Sequence, residues 1–188
     1  MFAAQYPHIS LDTYLARERE SAEKHEYLDG LVYMMAGASE RHGSIVSNTH
    51  ISIGSQLLRR PCRSYVADLR VKTPSGLVAY PDLVVVCGKP ELLDDKGDVL
   101  LNPTLIIEVL SRSTAGYDGT TKFLHYRSLP TLQTYVMIAQ DRPRIEVFER
   151  GKAEDWQSTY EIDAQGSIAL PSIECTLAMM DVYANVEF

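Results

Sequence analysis

The stretch Leu83–Cys87 is an uninterrupted run of aliphatic and thiol side chains, and a second run, 105–110, is broken only by the carboxylate of Glu108. Strands that are apolar on both faces need cover on both sides. These two therefore belong at the centre of a sheet in a mixed α/β domain. Neither approaches the roughly 18 apolar residues of a membrane-spanning helix, so no membrane association is expected.

The flanking sequence supplies that cover. Ser10 can cap a short helix carrying Leu11, Tyr14 and Leu15, and 26–35 reads as a hairpin around Asp29-Gly30, a dipeptide tolerant of positive φ. Ser39 caps a longer helix running to about 60, with Val46, Ile53 and Leu57 on one face and Pro61 ending it. A period of two over 65–72 predicts one strand, and 77–87 a second that becomes almost wholly apolar. A polar loop over 88–103 leads to a buried strand at 104–110. Ser113 or Thr114 then opens a helix ending near Pro130, and 132–139 is another apolar strand. Segments 145–149 and 156–162 read as antiparallel strands, with Trp156, Tyr160 and Ile162 as sheet core, and 177–184 as a closing helix. The order is helix, three strands, helix, strand around one central sheet. With no repeat or linker, residues 1–188 form a single domain with a core at about 39–140.

Charge is unevenly placed. The 188 residues hold 18 Lys and Arg against 25 Asp and Glu, a net −7, which excludes tight binding of nucleic acid by bulk charge. Residues 1–145 hold 16 acids and 16 bases, whereas the acidic extension 146–188 holds nine acids and only Arg150 and Lys152. Within the neutral part, Arg59, Arg60, Arg63, Arg70 and Lys72 against Asp68 give 59–72 a local excess of +4. That stretch reads equally well as a solvated surface or as a nucleic-acid contact. Cys62, Cys87 and Cys175 are odd in number and widely spaced, and the N-terminus has no signal-peptide pattern. Free thiols in a reducing cytoplasm are expected. His42 and His50 lack a third ligand at zinc spacing, and neither a nucleophile elbow nor a phosphate-cradling Gly-Lys-Ser/Thr loop is present.

The residues that resist a purely structural reading are Asp82 and Glu108, each set against an apolar strand. A buried carboxylate is normally paired, protonated or bound to a metal. Two on neighbouring strands point to a shared cation, and oxygen ligands favour Mg²⁺ or Mn²⁺. Returning from Ser111 to Glu108 covers about 10 Å of strand. Advancing from Ser113 to Lys122 covers about 13 Å of helix. A helix folded back along the strand thus brings Lys122 to the carboxylate, where an ammonium can orient a water or stabilise charge on a phosphate. The alternative is an i, i+4 surface pair between Lys122 and Asp118.

Pro81-Asp82, then Glu108 in an apolar strand, then a lysine, resembles the PD-(D/E)xK nuclease superfamily. More closely, the chain resembles the bacterial Uma-two family of candidate restriction endonucleases. The matching features are Glu26-Tyr27-Leu28-Asp29-Gly30, His42, the run from Pro81 to Val86, Ile107 to Ser111, Ser113-Thr114, and Asp118, Lys122 and Tyr126. The resemblance implies a restriction-endonuclease-like core with Asp82 and Glu108 as metal ligands and the Val109 carbonyl as a further one. It also implies Lys122 as the catalytic lysine, displaced from the superfamily position that Leu110 occupies, and sets Glu26 and His42 near the site. Arg112 departs from the family's usual Pro and adds a cation beside it. Gln133-Thr134-Tyr135 replaces its usual Glu-Tyr-Trp. The expectation is a Mg²⁺- or Mn²⁺-dependent nuclease cutting DNA, with Arg59, Arg63, Arg70, Lys72 and Arg112 as nucleic-acid contacts. The alternative is a catalytically silent nuclease fold that binds nucleic acid or a protein partner. A two-fold homodimer is compatible with the sequence, though no residue establishes it.

Overall fold

The computed structural model describes residues 8–35, 37–110, 116–152 and 155–188. Helix α1 (Leu11–Glu18) is capped by Ser10, whose hydroxyl accepts from the Thr13 N–H, and it buries Tyr14 and Leu15. Strands β1 (His25–Leu28) and β2 (Leu31–Met34) form the expected hairpin. Asp29 and Gly30 both have positive φ, at 47° and 89°, as a two-residue turn matched to strand twist requires. Helix α2 (Glu40–Leu57) starts at the Ser39 cap and buries Ile45, Thr49, Ile53 and Leu57, one residue per turn along one face.

The next part differs from the sequence expectation. Residues 65–72 are not one strand. The chain runs through β3 (Cys62–Val66), turns at Ala67 with φ 53°, and enters β4 (Arg70–Lys72) in another sheet. The segment 77–87 divides likewise into β5 (Leu77–Ala79) and β6 (Leu83–Cys87), again in different sheets. Pro81, which has no N–H to give a ladder, lies in the second break. A period of two reports extended backbone but not which sheet it joins, so both transfers were invisible to it. The Ala67 N–H donates to the Asp82 carbonyl at 3.2 Å, which ties the two breaks together.

Two principal sheets replace the single one expected. After β7 (Val99–Leu100) and β8 (Leu105–Leu110), a π-helical segment Tyr117–Lys122 leads into α3 (Phe123–Tyr126). Strands β9 (Thr134–Ala139), β10 (Ile145–Arg150) and β11 (Trp156–Glu161) follow. The larger sheet has the order β11-β10-β9-β8-β6-β3, with β8 and β9 parallel; the smaller is β2-β1-β5-β4-β7. Val84, Val86, Ile106 and Tyr135 of the larger sheet pack on Val71, Leu77 and Ala79 of the smaller. The opposite face of the larger sheet, including Leu83, Val85, Leu105 and Ile107, packs on α2 and the C-terminal segment. Both faces of β6 and β8 are thus buried, as their composition requires.

Three further differences concern the periphery. The expected closing helix, 177–184, shortens to a single turn, α4 (Met179–Val182), and the residues before it form a two-stranded unit, β12 (Ser167–Leu170) with β13 (Cys175–Ala178). Tyr160 and Ile162 are exposed at and just beyond the edge strand β11, so of the three expected core residues only Trp156 is covered, with its ring 5.2 Å from Phe123. Cys62 and Cys87 form a disulfide, because they face each other in the β3–β6 ladder; only Cys175 is a free thiol, and it is buried. Twenty-five residues of sequence separation had concealed that adjacency. Among the described residues, no helix is long and apolar enough to cross a membrane.

Candidate functional site

The two chain breaks between the sheets open a crevice at the end of β6. Leu83 faces Ile107 in the antiparallel β6–β8 ladder, and one further step places Asp82 across from Glu108. The Val109 N–H donates to Asp82 Oδ2 at 2.7 Å, and His42 Nε2 lies 3.0 Å from Asp82 Oδ1. His42 is on the first turn of α2, where its backbone N–H caps onto Ser39.

Glu108 is held from the helical side. Lys122, at the end of the π-helical segment, places Nζ 3.3 Å from Glu108 Oε1, and the Tyr126 hydroxyl donates to the same oxygen at 3.2 Å. Lys122 Nζ is also 2.8 Å from Glu26 Oε1 on β1. These are interior groups: Glu26, Glu108 and Lys122 are 1%, 3% and 5% exposed. Burial, reinforced by the negative charge of Glu108, pushes the Tyr126 phenol well above its ordinary value, so it remains a donor.

Asp82, Glu108, Lys122, Glu26, His42 and Val109 all line one cavity of about 740 Å³. The lysine reaches the carboxylate from a π-helical segment rather than from the α-helix expected, whose start at Ser113 or Thr114 lies outside the described residues. A π-helical turn is a frequent feature of functional sites. Tyr126, quoted from the sequence only as part of the family match and given no role there, lies four residues after Lys122, one helical turn on, and so presents to the same carboxylate.

The basic stretch does not assemble. Arg70 is 3% exposed and ion-pairs with Asp98, whereas a nucleic-acid contact must be accessible. Arg59 and Arg63 are exposed, but Arg63 is on β3 and Lys72 on β4, in different sheets. Proximity in sequence was lost when the chain changed sheets. Arg112, and the side chain of Asp118, lie outside the described part of the chain.

The donor chemistry bears on a cation. Among the described residues, no three His, Cys, Asp or Glu side chains are grouped to hold a metal by themselves. Two hard carboxylates across one strand pair instead fit an ion that keeps much of its water, as Mg²⁺ does, and do not fit a closed zinc cage.

A family model described as "Uma2: Putative restriction endonuclease" matches residues 11–179. The chain belongs to the Uma2 family. Two uncharacterized Synechocystis sp. proteins are similar to it. One is 35% identical over 147 residues, covering 78% of this chain and 83% of the relative. The other is 30% identical over 188 residues, covering 99% and 97%. A crystal structure described as a "putative nuclease belonging to DUF820" from Anabaena variabilis superposes with a TM-score of 0.75. It is 20% identical and covers 94% of this chain and 98% of its own, so the Uma2 chain shares that fold nearly end to end.

Proposed function

We propose that this Uma2 protein is a metal-dependent nuclease that hydrolyses phosphodiester bonds in DNA. The observation that carries the reading is the convergence of Asp82 and Glu108, from adjacent strands, with Lys122 in one cavity. Asp82 and Glu108, with the Val109 carbonyl, would hold Mg²⁺ or Mn²⁺. When bound, such an ion lowers the pKa of a water and offsets charge on the phosphate.

The rest is done by the chain's own residues. Lys122 supplies a fixed positive charge at the scissile phosphate and orients the attacking water. Glu26 shares the ammonium, so that Lys122 is divided between two carboxylates rather than paired with Glu108 alone. Tyr126 fixes the Glu108 carboxylate, while His42 and the Val109 N–H fix that of Asp82. Family membership and the shared fold support this reading. Mn²⁺ and Mg²⁺ titration calorimetry, together with cleavage assays on single- and double-stranded DNA against an Asp82→Ala control, test it. Absence of both metal binding and cleavage above the control would sink it.

A second reading is a nuclease fold that binds without cutting. It draws on the two carboxylates already flanking Lys122, which a structural ion pair would also show. Glu108→Gln separates the two. In a metal site Mn²⁺ raises the melting temperature of the parent and the substitution abolishes that rise, while Lys122 keeps its pair with Glu26. In a purely structural pair Mn²⁺ stabilises neither protein.

A further inference from the structure

The groups assigned to chemistry are recessed, and recession restricts what can reach them. Glu108 and Lys122 are almost fully buried, and the side chains of Asp82 and His42 are only 20% and 18% exposed. The cavity above them, about 740 Å³, is on the scale of sites that enclose one small ligand, about 300–1,000 Å³. Its walls are α2, the chain leading into and out of the β1–β2 hairpin, and the turn after β3. Such walls favour a phosphate that brings no complementary strand into the cavity.

Charge points the same way. Proteins that grip an intact duplex neutralise several phosphates along its length. Here Lys24, at the cavity wall, is engaged by Asp68 at 2.6 Å, Arg70 is internal, and Lys122 lies between Glu26 and Glu108. No continuous basic track crosses the mouth among the described residues. What the walls do offer is ring and apolar surface. His42, Val46 and His50 follow one another at single-turn intervals along α2, about 12 Å in all, and Val66 lines the same cavity. Such surface accepts the face of an unpaired base whatever its identity.

We propose that the substrate is an unpaired DNA strand, whether single-stranded, frayed at a terminus or drawn out of a duplex. Its base lies along the Val46–His50 wall of α2 and its phosphate reaches Asp82 and Glu108. The proposal rests on the reading of that floor as a phosphodiesterase centre.

Fluorescence anisotropy with Ca²⁺ in place of Mg²⁺ tests it, comparing a labelled oligothymidylate with a duplex of equal length whose ends are closed by hairpin loops. The oligothymidylate should bind at least tenfold more tightly, and His50→Ala should weaken that binding threefold or more. Equal or tighter binding of the closed duplex, failure to bind either, or an unchanged affinity in His50→Ala overturns the proposal. Hydrolysis of bis(p-nitrophenyl) phosphate by the unaltered protein, against Asp82→Ala, judges the nuclease reading separately. If that activity is absent the chemistry fails, while the strand preference is still decided by anisotropy.

Discussion

Lys122 Nζ lies closer to Glu26 Oε1, at 2.8 Å, than to Glu108 Oε1, at 3.3 Å. Two buried carboxylates thus share one buried ammonium, and the one nearer to it sits on the N-terminal hairpin rather than in the central sheet. That hairpin packs on β5 of the smaller sheet, so the lysine joins the two sheets electrostatically at the crevice. The site and the junction of the sheets are one feature.

This arrangement makes Lys122 the most sensitive member of the group. Removing one partner of a buried ion pair leaves an uncompensated charge and costs about 3–5 kcal/mol. Lys122→Met leaves Glu26 and Glu108 facing each other and should lose an amount in that range. Glu26→Gln leaves Lys122 paired with Glu108 and should cost distinctly less. Urea unfolding of both single variants and the double variant checks this, with the double less destabilised than the sum. A loss below about 1 kcal/mol for Lys122→Met would show that the ion pairs are not formed in solution.

His42 Nε2 lies 3.0 Å from Asp82 Oδ1, where it is placed to orient that carboxylate. Partners that orient ligating carboxylates typically contribute about 10- to 100-fold in metal affinity or activity. His42→Ala should therefore weaken Mn²⁺ binding by that factor in calorimetry while the metal-free melting temperature stays close to that of the parent. An unchanged Mn²⁺ affinity would remove His42 from the site.

Much of this was legible because it violated a pattern. Asp82 and Glu108 stood out as charges against apolar strands, and a length estimate that assumed a helix folded back along the strand put Lys122 within reach of Glu108, although the segment carrying it is π-helical. The Asp29-Gly30 turn and the Ser10 and Ser39 caps are local chemistry and came through unchanged. What failed was everything set by which strands become neighbours. The transfers at Ala67 and Pro81, the Cys62–Cys87 bond and the burial of Arg70 all depend on pairings between distant segments. Alternating polarity is the same whichever partner a strand takes. The contribution of Glu26 was accessible only through family resemblance, since nothing in its own segment announces that Lys122 will lie against it.

Arg70 illustrates a pH dependence with a definite sign. Asp98 receives hydrogen bonds from Arg19, which chiefly hold its carboxyl below the usual aspartate range, aided by the charge of Arg70 and opposed by partial burial. A carboxyl depressed in the folded state contributes stability above its unfolded value, about 3.9, and loses it as pH falls through the folded value. Asp98→Asn should cost about 1–2 kcal/mol at pH 7, and the gap to the parent should close as pH falls below about 4. Denaturant titrations between pH 7 and pH 2 measure this. A gap independent of pH would mean that the contribution of Asp98 is not that of its charge.

The N-terminal turns of α2 offer a gain rather than a loss. Gly43 is the fourth residue of that helix, and a Cβ built on it meets no atom within 4 Å. Glycine inside a helix sacrifices about 0.5–1 kcal/mol relative to alanine, through the backbone freedom lost on folding. Gly43→Ala should recover that amount and raise the melting temperature by about 1–4 °C for a chain of this size. A single methyl in open space leaves the walls of the cavity essentially where they are, so metal affinity should be unchanged. A lowered melting temperature would show that in solution the N-terminal part of α2 packs against something that the open space around Gly43 does not reveal.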